Sequence, residues 1–158
     1  VLEQIPLGGI GKLLALTPND EINSLAALRF GEVFDKQELY QLIPYQAEKG
    51  NEQDYSPKHL RGRFLFGKGI TFAQLRKKYY SGATIKSTKL SKGFNFDDFK
   101  EHYGEEAIPL FLINDSKELQ VITTESSPKP RAGNTIIAMV HDKKKKAVNA
   151  SNENNKSS

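Results

Sequence analysis

The chain has no cysteine and no tryptophan, and its single methionine is Met139. Without cysteine there is no disulfide, no thiolate nucleophile and no cysteine metal site, which fits a reducing compartment. No run reaches the roughly 18 apolar residues of a membrane-spanning helix, and no basic, apolar, then small-residue pattern marks a signal peptide at the amino end. The three histidines, His59, His102 and His141, are too widely spaced to form a recognisable metal motif. Serine and threonine are common, yet no Gly-x-Ser-x-Gly elbow accompanies them. Asp97-Asp98 and Glu105-Glu106 are adjacent carboxylates, and neighbours in sequence point in different directions, so neither pair predicts a shared proton. The residue types that carry catalysis are never gathered in one stretch, and the sequence predicts a protein that is not an enzyme.

The chain's 158 residues suffice for one ordinary domain or two small ones, with a modest core. The formal charge is +4, and the four lysines at 143–146 account for all of it, leaving a near-neutral remainder and no expectation of nucleic acid as a partner. Because the chain opens on Val1, it reads as an excised fragment.

The most informative stretch is 13–34, LLALTPNDEINSLAALRFGEVF. It reads as a buried strand at 13–16, a polar turn at 17–20 and a long amphipathic helix. Thr17 is placed to cap the helix with Pro18 at its first position, and Asp20 and Glu21 lie near the positive end of its dipole. Ile22, Leu25, Ala26, Phe30 and Val33 recur at helical spacing and predict the face that is buried, with Leu28 off that stripe. A second, short strand at 38–43, ELYQLI, follows.

Before this unit, Gly8, Gly9 and Gly11 precede a strand rather than follow one, so they read as a flexible turn and not a phosphate loop. After it, 44–57 is polar and aperiodic and reads as a linker. Within GRFLFGKG, Gly62 and Gly67-Lys68 have phosphate-loop spacing, but Gly69 stands where a magnesium-binding hydroxyl belongs and the interior is bulky and apolar. A packed strand or turn is the expectation there.

The second half predicts a helix at 71–80 with Phe72, Leu75 and Tyr79 on one face, then an outer strand at 83–90. Asn95 caps a short helix through His102 whose Phe96, Phe99 and Tyr103 belong to the core. An apolar strand at 107–113, with Pro109 marking an edge or a start, forms a hairpin with 119–123 through a turn at 114–117. A turn at Gly133 leads to a last buried strand at 135–141. From 142 onward the sequence is basic, then Asn/Ser-rich, and predicts a disordered tail.

The strand ending in Ala-Leu-Thr, the polar turn, Glu-Ile-Asn and the Leu-Ala-Ala run resemble the fourth strand and following helix of the KTN (RCK) nucleotide-binding domain, found on the cytosolic side of bacterial potassium channels, potassium transporters and monovalent cation:proton antiporters. RAGNTIIAMV at 131–140 resembles the closing strand of the TrkA-C domain that follows KTN, with Gly133-Asn134 where that family commonly has Gly-Asp. The resemblance implies an α/β (α+β) chain: the end of a doubly wound KTN domain at 1–44, a linker at 45–57, a small TrkA-C-like domain at 58–141 and the tail at 142–158.

It also implies a cytosolic regulatory domain of a Na+ or K+/proton antiporter, at the cytoplasmic face of the inner membrane, that gates transport on binding a small ligand. Its partners would be the transmembrane transport domain of the same chain and a second copy in a homodimer. A nucleotide, NAD or an adenine nucleotide, is the implied cofactor of the full-length protein, with Thr17, Asn19 and Asp20 as contacts at the strand's carboxyl end and the helix's amino end. The alternative is a free-standing interaction module that recruits a partner at an apolar sheet edge, with the lysines at 143–146 touching anionic lipid.

Overall fold

The polar turn at residues 17–20 lies between a parallel strand and a helix, as its spacing predicts. The computed structural model describes residues 10–45, 57, 60–126 and 128–141. Gly8, Gly9, His59, most of the predicted linker and the predicted tail therefore lie outside the described residues. The chain is mixed α and β, with one parallel and one antiparallel sheet, in two compact units.

The first unit contains β1 (Leu13–Ala15), α1 (Asp20–Phe30), a 3-10 turn at Lys36–Glu38, β2 (Leu39–Gln41) and β3 (Arg63–Phe64). Its sheet has the order β1-β2-β3 and is parallel throughout, with Leu13 opposite Leu39 and Tyr40 opposite Arg63. The predicted second strand is therefore present and parallel. The segment expected to open the second unit supplies β3 to the first sheet, and the first compact unit runs through Leu65 and takes in Gly69–Phe72. Parallel pairing joins residues distant in sequence, so nothing local in GRFLFGKG announces it.

The helix α1 corrects two expectations. Its cap is Asn19, whose side chain accepts from the Ile22 amide; Thr17 is engaged elsewhere, and Pro18 precedes the cap. The helix ends at Phe30, with the Gly31 amide bonded to the Ala27 carbonyl, short of the predicted Phe34. Much of the predicted buried stripe is exposed: Ile22 is 53% exposed, Leu25 57% and Val33, past the helix end, 47%, while Ala26 and Phe30 are half-buried. The face turned inward carries Asn23 and Ala27, and a Cβ on Gly31 would lie 3.7 Å from the Leu39 side chain, so small residues carry the approach to β2. Side chains along β2 alternate, so Leu39 and Gln41 share the α1 face of the sheet while Tyr40 lies on the other.

On that other face Tyr40 donates to the Glu38 carboxylate, which also accepts from Lys12, and the Arg63 guanidinium stands 5.6 Å from the Tyr40 ring centre. Burial, reinforced by the Glu38 charge, pushes the Tyr40 hydroxyl above its ordinary pKa. A value raised in the folded state means that the contribution to stability is complete below the ordinary tyrosine range and is lost as pH rises through the folded value. Tyr40→Phe is expected to flatten the loss of stability above about pH 10 and to remove the last step from the tyrosinate absorbance titration. An unchanged final step would show that Tyr40 titrates as an exposed phenol.

Gly62 is constrained by backbone on its flank. A Cβ there would lie 3.0 Å from the Tyr40 carbonyl carbon, 3.2 Å from the Gln41 nitrogen and 3.3 Å from the Leu39 oxygen. Those atoms belong to the central strand and cannot withdraw without breaking its pairing. Gly62→Ala is expected to cost about 1–3 kcal/mol in denaturant unfolding. A neutral result would show that β3 can move away from β2.

The second unit contains α2 (Phe72–Tyr80, with Phe72 counted in the first unit), β4 (Thr84–Lys89), α3 (Phe96–Tyr103), β5 (Ile108–Ile113), β6 (Leu119–Val121) and β7 (Thr135–Val140). Its antiparallel sheet has the order β4-β7-β5-β6, so β4 is an outer strand and β7 a buried one, as predicted. The hairpin of β5 and β6 turns at Asn114 and Lys117, the latter with φ 65°. Pro109 lies near the start of an interior strand, where the register with β7 shifts between Pro109 and Phe111, and that irregularity accommodates the missing amide. In α2 the predicted face is only partly correct, because Tyr79 is exposed.

The core of this unit gathers Leu90, Phe99, Leu112, Ile136, Ala138 and Val140, with Phe96 and Tyr103 packed beside them. Asn95 begins α3 with a reciprocal capping box: its side chain accepts from the Asp98 amide, and the Asp98 carboxylate accepts from the Asn95 amide. Asp97 turns away to pair with Lys100 at 2.8 Å, so the adjacent carboxylates do separate. At the turn before β7, Gly133 has φ 94°, and the Gly133 amide and Asn134 carbonyl clasp the Leu90 backbone. Asn134 is buried and accepts from the Arg131 amide, while its Nδ2 finds no acceptor among the described residues.

Candidate functional site

In a parallel sheet flanked by helices, the carboxyl ends of the strands are where loops converge and ligands are held. Thr17, Asn19 and Asp20 stand at that end, between β1 and α1. Thr17 and Asn19 are exposed, and Asp20 is half-buried.

The turn is tied by one buried residue that the sequence did not single out. The Asn23 Oδ1 accepts from the Thr17 amide at 3.0 Å and from the Thr17 hydroxyl at 2.8 Å, and its Nδ2 donates to the Thr17 carbonyl at 2.9 Å. Asn23 is only 1% exposed, so its side of each bond is shielded from water. Thr17 Oγ1 lies 3.1 Å from the Asn19 carbonyl and 3.2 Å from the Asn19 amide. Asp20 reaches across the carboxyl edge to accept from the Tyr45 amide at 2.8 Å, pinning the chain that leaves β2. The three predicted residues are thus brought together, and each already has a partner within the chain.

Deeper in the same unit, buried Gln41 joins three elements. Its Oε1 accepts from the Gly62 amide at 2.9 Å, and its Nε2 donates to the Ser24 hydroxyl on α1 at 3.4 Å. Gln41 and Asn23 make the interior behind the turn polar but hydrogen-bonded, which fixes α1 in rotation about its axis. A signal for Asn23 does exist in the sequence: Asn23, Ala27 and Gly31 repeat at i, i+4 and i+8, a small-residue stripe less apolar than its neighbour.

The turn can offer an anionic group the first-turn amides of Asp20 and Glu21, which have no intrahelical acceptor by helix geometry, and the exposed Asn19 side-chain amide. The Asp20 and Glu21 carboxylates stand at the same place and would accept hydroxyl donors. Among the described residues, no group of three or more His, Cys, Asp or Glu is placed to hold a metal ion. His102 meets Phe94 and Tyr103 edge-on, and His141 Nε2 lies 3.2 Å from Ser81 Oγ. No helix among the described residues is long and apolar enough to cross a membrane. Comparison with protein-family models, curated proteins and solved structures finds no match.

Proposed function

We propose that this chain is the cytosolic regulatory region of a membrane transporter that exchanges a monovalent cation, Na+ or K+, for protons, with the KTN- and TrkA-C-like character read from its sequence. The observation that carries the reading is the parallel β1–α1–β2 unit with a polar Thr17-to-Asp20 turn at its carboxyl edge. A nucleotide, NAD or an adenine nucleotide, would place a phosphate against the amides of the first turn and ribose hydroxyls against Asp20. Binding one arrangement of the region more tightly than another would then shift the transporter's equilibrium by that difference in affinity.

Calorimetric titration of NAD, ATP and AMP into the region, with its upstream coding sequence included, is expected to give saturable binding that Asp20→Ala weakens. Absence of heat with all three nucleotides overturns the nucleotide reading. A reading frame extending upstream through many apolar spans supports the transporter, and a short frame starting close to Val1 removes it.

A second reading, an interaction module, is favoured by the outward apolar face of α1. Ile22, Leu25 and Leu28 are each about half exposed there, and β1 is an edge of its sheet among the described residues. In either reading a second copy of the chain is the expected partner, and light scattering at rising concentration is expected to show a dimer.

A further inference from the structure

We propose that the α2–β4 corner of the second unit is a docking surface for an anionic lipid bilayer. The inference goes beyond the transporter reading and does not require it. It starts from how charge is distributed along the chain. Residues 68–96 contain seven Lys or Arg and no Asp or Glu, whereas residues 97–125 contain eight Asp or Glu and two Lys. The sheet order converts this asymmetry in sequence into one in space. The strand β4 is one edge of the sheet and, together with the α2 that precedes it, carries Arg76, Lys77, Lys78, Lys86 and Lys89 and no acidic residue. A charged plane attracts such a unit basic edge first.

The basic edge also carries the right apolar groups. Tyr79 is 65% exposed, Tyr80 75% and Ile85 62%, beside the exposed side chains of Arg76 and Lys77. The Ala83 amide bonds the Lys78 carbonyl, so α2 passes into β4 through a tight turn, and Ser81 meets His141 at the end of β7. The aromatic pair, the basic helix end and the start of β4 therefore form one corner. Tyrosine settles at the level of lipid headgroups, isoleucine gains from entering the acyl boundary, and Lys and Arg are drawn to anionic headgroups.

Nucleic acid has the same charge but fits the corner less well. Base stacking needs an open aromatic face, yet the Tyr79 and Tyr80 rings meet edge to face at 5.7 Å and Arg76 lies 5.6 Å from the Tyr80 ring centre. A phosphate backbone also gives Ile85 nothing to contact.

Flotation of the full chain with phosphatidylcholine vesicles, with and without phosphatidylglycerol, tests the proposal. Binding is expected only to the anionic vesicles and is expected to weaken steeply as salt is raised. Each cation withdrawn should cost about fivefold in partitioning, so the double variant Arg76→Gln/Lys77→Gln should lose about twenty-fivefold. Tyr80→Ser should weaken binding and Tyr80→Trp restore it, a rescue that charge alone does not predict. Circular dichroism of each variant separates lost binding from lost fold, and the salt dependence of the unaltered chain needs no variant. Equal binding to neutral and anionic vesicles overturns the proposal. So does loss on replacing only the lysines at 143–146 while the α2 variants bind normally, and so does binding to single-stranded RNA with none to vesicles.

Discussion

Phe99→Ala is expected to lower the stability of the second unit by about 3–5 kcal/mol, a large share of the 5–15 kcal/mol that holds a typical domain together. Phe99 is the one buried side chain of α3, so its ring is what fastens that helix to the sheet. It enters the cluster formed by Leu90, Leu112, Ile136, Ala138 and Val140, and lies 6.1 Å from the Phe96 ring and 4.9 Å from the Tyr103 ring. Alanine would leave a cavity under a helix too short to persist alone. The capping box at Asn95 is the competing anchor, but a cap contributes only about 1 kcal/mol, so burial decides the outcome. Asn95→Ala is the comparison, followed by denaturant unfolding with far-ultraviolet dichroism. A loss from Phe99→Ala no greater than that from Asn95→Ala would show that α3 is fixed by its ends rather than by its ring.

The contrast between α3 and α1 explains how much of this fold could be read from sequence. In α3 the cap, the acidic first turn and the aromatic spacing all specify one orientation, and the helix appears where they place it, within a residue. In α1 the most apolar stripe and the buried stripe are different. The stripe of Ile22, Leu25 and Val33 wins any count of hydrophobicity, yet Asn23 and Ala27 are the buried pair. Hydrogen bonding reverses the order: Asn23 reaches Thr17, Ser24 reaches Gln41, and both require that face inward. Apolar periodicity contains no term for a buried amide that is fully bonded.

The strand β3 was hidden for another reason, since its pairing with β2 joins Tyr40 to Arg63 across a long interval of sequence. At the candidate site, the positions of Thr17, Asn19 and Asp20 between strand and helix were legible from the turn chemistry. Their partners were not: Tyr45 binds Asp20 through its backbone amide, which carries no sequence signature.

Asn23→Ala is expected to destabilise the first unit by about 3 kcal/mol, because it removes three hydrogen bonds and leaves the Thr17 amide without an acceptor. Asn23→Asp separates the parts of that loss. Aspartate keeps both acceptor interactions, loses the donor to the Thr17 carbonyl and buries a charge where Asn23 is 1% exposed. Burial should raise the new carboxyl's pKa in the folded state above its unfolded value. Its contribution is then complete below the unfolded value and lost as pH rises through the folded one, so this variant should gain stability relative to the unaltered chain on acidification. Protonation would also restore a donor for the Thr17 carbonyl. A pH-independent deficit would place the side chain in contact with water and remove the latch.

The same pair of variants bears on the proposed nucleotide site, since Asn23 touches no solvent and could act there only by holding Thr17 and the first turn in place. Nucleotide affinity that falls in Asn23→Asp at neutral pH and recovers on acidification, with the fold intact throughout, would identify Asn23 as a positioning residue. Affinity that follows only the folded fraction would assign it to stability alone.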